Sequence, residues 1–274
     1  MIGRILTCIA SIPYLGRELL KFRYGLQHPH KYYDPPDRWL RSITAEWFEA
    51  TVVQIGSNDG VAGDPLHAIM VRRPRWRALL VEPVPHIFEE LVVNKAGLPN
   101  VVCENVAISD GSEQTFYAVD PAAEQALPDL PEWYDQLGSF DRTHITKHLG
   151  GLLEPYIREI HVRGDTLQGL LDKHGFGCVD LLHVDTEGYD YEVFKQFDLG
   201  RYAPKVVLIE HKHLSTADKG RILDRLAGRY AAFQLKGDLL AVDEARVPPA
   251  AYAGNVGKRV RTAADLEPLS LWSK

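Results

Sequence analysis

Short apolar runs alternate along this chain with segments that have the periodicity of helices. The predicted strands lie at residues 51–56, 77–82, 100–104, 156–163, 178–184 and 206–210. Helices are predicted from about residue 65 to 72, from about 85 to 96, and from a cap at Asp165 or Thr166 to about His174. Strands that are apolar throughout are typical of a parallel sheet that is buried on both faces. The pattern therefore predicts an α/β fold built on a mostly parallel sheet.

Three later segments depart from this alternation. Residues 231–235 and 239–242 are apolar and are separated by a short polar turn, which predicts a closing β-hairpin. Residues 120–151 are broken by prolines and carry several aromatic side chains, so we interpret them as an ordered insertion that covers the ligand site and helps to select the substrate. The tail at 246–274 has little periodicity and is expected to be draped over the domain or partly disordered.

Composition describes an ordinary globular protein with an acidic balance. The 274 residues are 45% hydrophobic and 25% charged, which suits one large α/β domain with an appendage. A net charge of -6 and a pI near 6.0 argue against a nucleic-acid partner. The three cysteines are widely spaced and lack metal-ligand spacing, so the expected compartment is the reducing cytoplasm. Nothing in the composition constrains the oligomeric state.

The first 41 residues differ from the rest of the chain in charge. They carry seven Lys and Arg against three acids, a net charge of +4, which leaves -10 for residues 42–274. The apolar stretch at 2–12 is shorter than the about 20 residues that span a bilayer. Two interpretations stay open: residues 1–41 make peripheral contact with an anionic membrane surface, or they form a helix that packs on the main domain. We divide the chain into an extension (1–48), a main domain (49–245) and a tail (246–274).

The first predicted strand runs into a glycine-containing turn, and the second ends in a carboxylate. Residues 52–60 read VVQIGSNDG, and Glu82 lies 22 residues after Gly60. A glycine turn lets a ligand approach the backbone, and a carboxylate at the next strand end can accept hydrogen bonds from both ribose hydroxyls. The dinucleotide spacing is absent, because Asn58 and Val61 stand where its other glycines belong, and no Walker pattern occurs. The residues favour a nucleoside-bearing cofactor without a pyrophosphate.

Residues 52–60 resemble the first motif of class I S-adenosylmethionine-dependent methyltransferases, and Glu82 resembles their ribose-binding acid. Residues 105–111, 162–167, 180–190 and 206–210 follow in an order that resembles the FkbM-type methyltransferases, over roughly residues 50–240. Gln54 and Asn58 depart from the family pattern, where an acid and a glycine are common. The resemblance implies a doubly wound, Rossmann-like sheet of seven strands with an N-terminal helical extension. It also implies the cofactor S-adenosylmethionine, bound by Gly56, Asn58, Asp59, Gly60, Glu82, Asn105 and Ser139.

Many FkbM-type methyltransferases methylate the oxygen of a sugar, a glycolipid or a natural product. The resemblance therefore implies O-methylation of a small-molecule, carbohydrate or glycolipid acceptor. Two alternatives stay open. The chain could be a scaffold that has lost catalysis, although Gly60 and Glu82 are both present. It could also be a nicotinamide-dependent oxidoreductase, although the glycine spacing of that class is missing.

Acids and histidines at the ends of the fourth and fifth core strands are the candidates for catalysis. In one arrangement Asp185, Glu210 and His211 bind a divalent ion such as Mg²⁺, which lowers the pKa of an acceptor hydroxyl. In a second, no metal binds, and Asp185, Glu187, His211 or His213 is the general base. In a third, Asp185 caps the following helix and Glu210 makes a structural hydrogen bond. The resemblance supports the first arrangement only by analogy with metal-dependent O-methyltransferases.

Three further histidines are interpreted as having no part in catalysis. His183 lies inside an apolar strand and is expected to be a core residue with satisfied hydrogen bonds. His144 and His148 are one helical turn apart, which is a spacing that metal ligands use. Because the insertion predicts a surface helix there, we interpret that spacing as coincidence.

Overall fold

The structure is a computed structural model that describes residues 33–127, 129–131 and 133–268. Its strands, in chain order, are β1 (Thr51–Ile55), β2 (Arg77–Val81), β3 (Val101–Glu104), β4 (Ala107–Ile108), β5 (Gln114–Val119), β6 (Ile157–Val162), β7 (Gly164–Asp165), β8 (Leu181–Val184), β9 (Val206–Glu210), β10 (Tyr230–Leu235), β11 (Asp238–Asp243) and β12 (Lys258–Val260). Its α-helices are α1 (Pro36–Ile43), α2 (His67–Val71), α3 (Pro85–Lys95), α4 (Ala122–Ala126), α5 (Arg142–Thr146), α6 (Leu167–Lys173), α7 (Asp190–Phe194), α8 (Leu199–Tyr202) and α9 (Thr216–Leu226).

Eight of the strands form a central sheet in the order β3-β2-β1-β8-β9-β11-β10-β12. The first five of these are parallel, and β11 pairs antiparallel with both β9 and β10. Strand β1 lies between β2 and β8, so that Val53 is paired with Leu79 on one side and Leu182 on the other. The chain order reverses at β1, and ligands bind at the carboxyl ends of strands at such a switch point. The predicted doubly wound, mostly parallel sheet is confirmed.

Both faces of the parallel strands are buried, which explains why their sequences do not alternate. On one face Val53 and Ile55 pack with apolar residues of α6 and α9, and on the other face Val52 packs with residues of α1 and α3. All three of these β1 side chains are almost completely buried. Helices on both faces leave the carboxyl ends of the strands as the open edge of this core.

The insertion is ordered and is held by a pair of strands. Strands β5 and β6 pair antiparallel, and the chain between them contains α4, α5 and several single-turn 3₁₀ helices. This segment has its own apolar cluster, which includes Tyr134, Leu137, Ile145 and Leu153. Strand β5 precedes residue 120 and has no counterpart in the sequence prediction. The insertion is therefore a small subdomain that stands on a two-stranded base.

The described part of the N-terminal extension packs on the main domain. Helix α1 buries Trp39, whose ring lies 5.0 Å from Phe233 and 5.7 Å from Tyr252. Residues 1–32 lie outside the described residues, and so does most of the segment predicted to touch a membrane. In the part of the chain that the structure describes, no helix has the length and apolar character needed to cross a membrane.

The tail extends the central sheet. Strand β12 pairs antiparallel with β10, with Val260 opposite Ala232, and so gives the sheet one strand more than the predicted seven. Asp34 fixes the chain just before β12, because its N–H donates to the carbonyl oxygen of Val256 over 2.8 Å and its carboxylate accepts from the N–H of the same residue over 2.8 Å. The lack of periodicity in the tail reflects a strand of only three residues at a sheet edge.

Candidate active site

A cavity of about 900 Å³, open to solvent, lies at the carboxyl ends of β1, β2 and β8. The three strand ends contribute Gly56, Glu82 and Asp185 to its wall, and the insertion contributes Phe140 from the opposite side. The switch point of the sheet and the cavity therefore coincide, and the insertion covers it as the sequence predicts.

Gly56 lets the end of β1 pass against the end of β8. Its φ is +78°, and a Cβ at this position would lie 1.6 Å from the carbonyl oxygen of Asp185. No L side chain fits so close to backbone. The N–H groups of Gly56 and Ser57 both donate to the carbonyl oxygen of Val81 over 3.0 Å, which fixes the turn to the end of β2. This glycine therefore serves the close approach of two strand ends, whereas the sequence analysis expects it to serve the approach of a ligand.

Glu82 is a buried acid at the centre of this network. Its Oε2 accepts from the N–H of Asn58 over 3.0 Å, and its Oε1 accepts from the N–H of Val84 over 2.9 Å. Burial raises the pKa of Glu82 to about 7, although both of these hydrogen bonds act in the opposite direction. Each carboxylate oxygen keeps a second acceptor position. The side chain lines the cavity and can accept the two hydroxyl protons of a ribose.

Four residues predicted to bind the cofactor support the site without lining the cavity. Asp59 Oδ1 accepts from the N–H groups of Val61 and Ala62, both over 2.8 Å. Gly60 leaves room for helix α3, because a Cβ there would lie 2.6 Å from a methyl carbon of Leu91. The remaining two residues hold backbone turns. Asn105 donates from Nδ2 to the carbonyl oxygens of Glu82 (2.8 Å) and Pro83 (3.0 Å). Ser139 accepts at Oγ from the N–H of Asp141 (3.2 Å).

The cavity has an aromatic wall that the sequence analysis missed. The ring of Phe140 lies 4.4 Å from the ring of Tyr189 and 5.0 Å from that of Phe116, and all three residues line the cavity. They come from the insertion, the turn after β8 and strand β5. No sequence motif brings such distant residues together, although the aromatic content of the insertion was a signal. Apolar rings of this kind suit the flat face of a base.

The turn after β8 carries a group of carboxylates. Asp190 is fully buried and accepts from the N–H of Thr186 over 2.9 Å and from that of Gly188 over 3.0 Å. Burial and the neighbouring charge of Asp185 raise the pKa of Asp190 to about 8. Burial and the charge of Glu187 raise the pKa of Asp185 to about 6. Asp190 therefore shapes the turn, while among the described residues no partner donates a hydrogen bond to the half-buried carboxylate of Asp185.

Glu210 ends β9, His211 follows it, and the two side chains have different surroundings. Asp185, Asp190 and Glu210 offer oxygen atoms that lie within 4.8 Å of one another. Glu210 also forms an ion pair with Lys212, and burial raises the pKa of Glu210 well above its ordinary value. The His211 ring instead donates from Nε2 to the carbonyl oxygen of Lys236 over 3.0 Å, and burial lowers the pKa of His211 to about 4. The structure thus brings together two of the three predicted metal ligands and leaves His211 in the hairpin.

The prediction that His144 and His148 lie on a surface helix is wrong, because His144 is buried and His148 follows that helix in a 3₁₀ turn. The His144 ring lies 4.8 Å from the ring of His148 and 4.6 Å from that of His213. Glu187 Oε2 lies 3.2 Å from His144 Nε2 and 3.1 Å from His213 Nε2. Burial alone would raise the pKa of Glu187, but contacts with both histidines and the charge of Lys212 hold it below its ordinary value. The insertion folds onto the ends of β8 and β9 and so closes this cluster.

His183 also differs in part from its interpretation as a satisfied core residue. It is buried, and burial lowers its pKa to about 4. Its Nδ1, however, has no hydrogen-bond partner among the described residues, and the side chain lines the cavity next to Asp185.

Comparison with solved structures finds matches at low sequence identity and low TM-score. The O-methyltransferase TomG from Streptomyces achromogenes, involved in tomaymycin synthesis and solved with S-adenosylmethionine, is 18% identical over 77% of this chain and 81% of its own, with a TM-score of 0.40. An O-methyltransferase from Bacillus cereus, solved with S-adenosylhomocysteine, is 11% identical over 88% of this chain and 100% of its own, with a TM-score of 0.40. A search of the curated proteins finds no match.

The family model of the methyltransferase FkbM domain matches residues 54–235. That range runs from the glycine turn to the end of β10 and contains Gly56, Glu82, Asp185 and Glu210. The match covers more than half of the chain. It decides against the alternative prediction of a nicotinamide-dependent oxidoreductase. The chain therefore belongs to the FkbM methyltransferase family and is an S-adenosylmethionine-dependent methyltransferase.

Proposed function

We propose that this methyltransferase acts on a hydroxyl group of a sugar, a glycolipid or a polyhydroxylated natural product. The observation that carries the proposal is the position of Asp185. Asp185 lines the cavity that contains Glu82, and it also lines a second depression, which lies between the segment after β1 and the end of β9. A group at this junction touches both the cofactor space and the space left for an acceptor.

The residues of the first cavity fit S-adenosylmethionine. The turn after β1 lines the cavity through Gly56, Glu82 is placed to accept from the ribose hydroxyls, and the aromatic wall around Phe140 is placed to contact the adenine face. When bound, this cofactor supplies an electrophilic methyl group on a sulfonium centre. The protein then has to hold an acceptor oxygen in line with that group and remove its proton.

The second depression offers both charged and apolar groups to an acceptor. It is lined by side chains of both charges, among them Asp37, Arg41, Lys212 and Asp238, and also by apolar side chains such as Val61, Ile69 and Leu235. An acceptor that is apolar throughout would leave the charged groups desolvated and unpaired, which is costly. The charged part of the lining therefore favours an acceptor that carries hydroxyl groups.

We assign proton removal to Asp185 in preference to a Mg²⁺-bound route through Asp185, Glu210 and His211. His211 is turned toward the hairpin, Asp190 is occupied by two backbone N–H groups, and Glu210 is paired with Lys212. Magnesium requires near-octahedral oxygen ligands, and this set offers few that are free. Asp185 lies where the two cavities meet, and no donor among the described residues occupies its carboxylate, so it is free to accept the proton of the acceptor hydroxyl.

Thermal unfolding with S-adenosylhomocysteine, with NAD⁺ as the control, tests the cofactor assignment. A ligand at about 100 times its dissociation constant adds roughly 2.7 kcal/mol, which gives a clear rise in Tm. Transfer of a labelled methyl group to a panel of mono- and oligosaccharides, glycolipids and polyketides, each with and without a chelator, then tests the acceptor class. Transfer only to an amine or a carbon acceptor would overturn the proposal, and loss of transfer on chelation would restore the metal route.

A further inference from the structure

The histidine cluster beside the cavity has the composition and spacing of a metal site. His144 and His148 come from the insertion, Glu187 from the turn after β8, and His213 from the loop after β9. The Nε2 atoms of His144 and His213 and the Oε2 atom of Glu187 are buried, and both nitrogens face this one oxygen atom. Imidazole nitrogens and a carboxylate oxygen that converge in this way are a ligand set that transition metals use.

Two of the distances in this cluster are close to the edge of a coordination tetrahedron. Ligand atoms about 2.0–2.1 Å from a tetrahedral zinc ion lie about 3.3 Å from one another. Glu187 Oε2 lies 3.2 Å from His144 Nε2 and 3.1 Å from His213 Nε2. His148 offers a nitrogen within 4.8 Å of a nitrogen of each of the other two histidines, so the three rings can converge on one ion. Two or three imidazoles with one carboxylate are a common set for Zn²⁺.

The surroundings orient the ligands. The His148 ring donates from Nδ1 to the carbonyl oxygen of His144 over 2.8 Å, which leaves its Nε2 unprotonated and ready to bind. Metal-binding histidines usually have such a partner for their other nitrogen. Lys212 approaches Glu187 through Oε1, at 3.6 Å, and so leaves Oε2 directed at the histidines.

We propose that His144, His213 and Glu187, with His148 as a further ligand, bind one divalent transition-metal ion of the zinc class. This site adjoins the oxygen-rich group of Asp185, Asp190 and Glu210, because Glu210 offers an oxygen within 4.8 Å of ligand atoms of Glu187 and His213. Its nitrogen ligands distinguish it, since they select against Mg²⁺. The proposal goes beyond the acceptor chemistry proposed above and does not depend on it.

The ion joins the insertion to the catalytic core. Without it, α5 contacts the strand ends through packing and imidazole–carboxylate contacts only. With it, one centre links α5, the β8 turn and the β9 loop. The site opens into a depression of about 780 Å³ that is lined by Ser139, Phe140 and Tyr189 as well as the cluster. Solvent or a ligand atom can therefore reach an open coordination position.

Metal analysis of the full-length chain tests the site. The protein is stripped with a chelator, dialysed against Zn²⁺, Co²⁺ or Mg²⁺, and examined for bound metal, Tm and, with Co²⁺, visible absorption. We expect one Zn²⁺ or Co²⁺ per chain, a higher Tm, and the intense absorption of tetrahedral Co²⁺ with histidine ligands. Mg²⁺ is expected neither to be retained by the protein nor to raise its Tm.

Variants separate this site from adventitious binding. We expect His144→Asn and His213→Asn to reduce the bound Zn²⁺ at least tenfold, while His161→Asn, on an exposed face of β6, keeps it. The proposal would be overturned if His161→Asn lost as much Zn²⁺ as the other two variants. It would also be overturned if the unsubstituted protein retained no metal and its Tm did not change. The cluster would then be an imidazole–carboxylate ion-pair network. Because the Co²⁺ spectrum is recorded on the unsubstituted protein, a variant that fails to fold leaves the test intact. The rise in Tm with S-adenosylhomocysteine is measured on the same sample, and it shows whether the protein still binds the cofactor if it binds no metal.

Discussion

The backbone N–H of Asn58 donates to Oε2 of Glu82 over 3.0 Å, so the turn after β1 and the acid after β2 are directly joined. Asn58 has φ of +47°, in the left-handed region that asparagine tolerates better than most residues. The family pattern has a glycine where this chain has Asn58. The substitution keeps the turn and its contact with the acid, which explains why the departure leaves the site intact.

Replacement of Glu82 by alanine should weaken cofactor binding without unfolding the protein. Loss of hydrogen bonds between a charged acceptor and two hydroxyls is worth about 1.5–3 kcal/mol each, so the dissociation constant of S-adenosylhomocysteine should rise at least about tenfold. Isothermal titration calorimetry measures this, and circular dichroism checks the fold. Glu89→Ala, on the exposed side of α3, is the matched control. An unchanged affinity in Glu82→Ala would remove Glu82 as the ribose ligand.

Cofactor affinity should fall on acidification through neutral pH. Burial raises the pKa of Glu82 to about 7, and only the ionised carboxylate accepts from both ribose hydroxyls. At pH 6 about one tenth of the carboxyl is ionised, so the dissociation constant should be about tenfold higher than at pH 8. Calorimetry between pH 6 and pH 8 measures this, and Glu82→Gln should flatten the profile.

The stability of the unliganded protein should depend on pH in the opposite direction to the cofactor affinity. A carboxyl with a raised pKa in the folded state binds a proton more tightly there than in the unfolded chain. Its contribution to the free energy of unfolding is therefore present at low pH and lost as pH rises through about 7. Chemical denaturation of Glu82→Gln and the unsubstituted protein at several pH values isolates this contribution. A stability difference that does not change with pH would contradict it.

Replacement of Gly56 by alanine should be far more damaging than the same change at another glycine of positive φ. The new Cβ would meet the carbonyl oxygen of Asp185 at 1.6 Å, and that backbone cannot move without separating β1 from β8. Gly111→Ala is the control, because it has φ of +97° and open space around it. The control should cost about 1–2 kcal/mol, and Gly56→Ala about 3 kcal/mol more. Urea denaturation compares the two, and equal losses would mean that the β1 end tolerates a side chain.

Replacement of Asp185 by asparagine should remove turnover and keep cofactor binding. General-base catalysis contributes about 10²–10⁴-fold to rate, and the amide keeps the shape but does not accept the proton. The rate of methyl transfer and the S-adenosylhomocysteine affinity are measured on the same preparation. Asp172→Asn, exposed on α6, should leave both unchanged. Full activity in Asp185→Asn would show that Asp185 is not the general base and that another side chain near the junction has that role.

Replacement of Trp39 by alanine should destabilise the whole domain. Its indole is buried between Phe233 and Tyr252, so the loss is expected to be about 3–5 kcal/mol. Phe48→Ala, at a residue that is 68% exposed, should cost about 1 kcal/mol or less. Differential scanning calorimetry compares the two, and a single transition in both shows that α1 unfolds with the sheet. A small effect at Trp39 would mean that α1 is an independent appendage.

The sequence predicts the sheet well because each buried strand is apolar throughout, and the turns at Gly56 and Glu82 are local features. It predicts the catalytic groups less well, because their directions depend on contacts made far along the chain. His211 is adjacent to Glu210 but is held by the carbonyl of Lys236, and His144 meets Glu187 only after the insertion folds back. Adjacent positions at a strand end point to opposite faces of the sheet, and spacing alone does not say which face holds the site.

Strand β11 lies between β9 and β10, although it follows both in the chain. The family match ends at residue 235, at the end of β10. A fragment cut at that boundary would contain β10 without the strand that joins it to β9, and without β12 on its outer edge. The unit that folds in this protein is therefore longer than the range that the family model matches, and it continues through Val260.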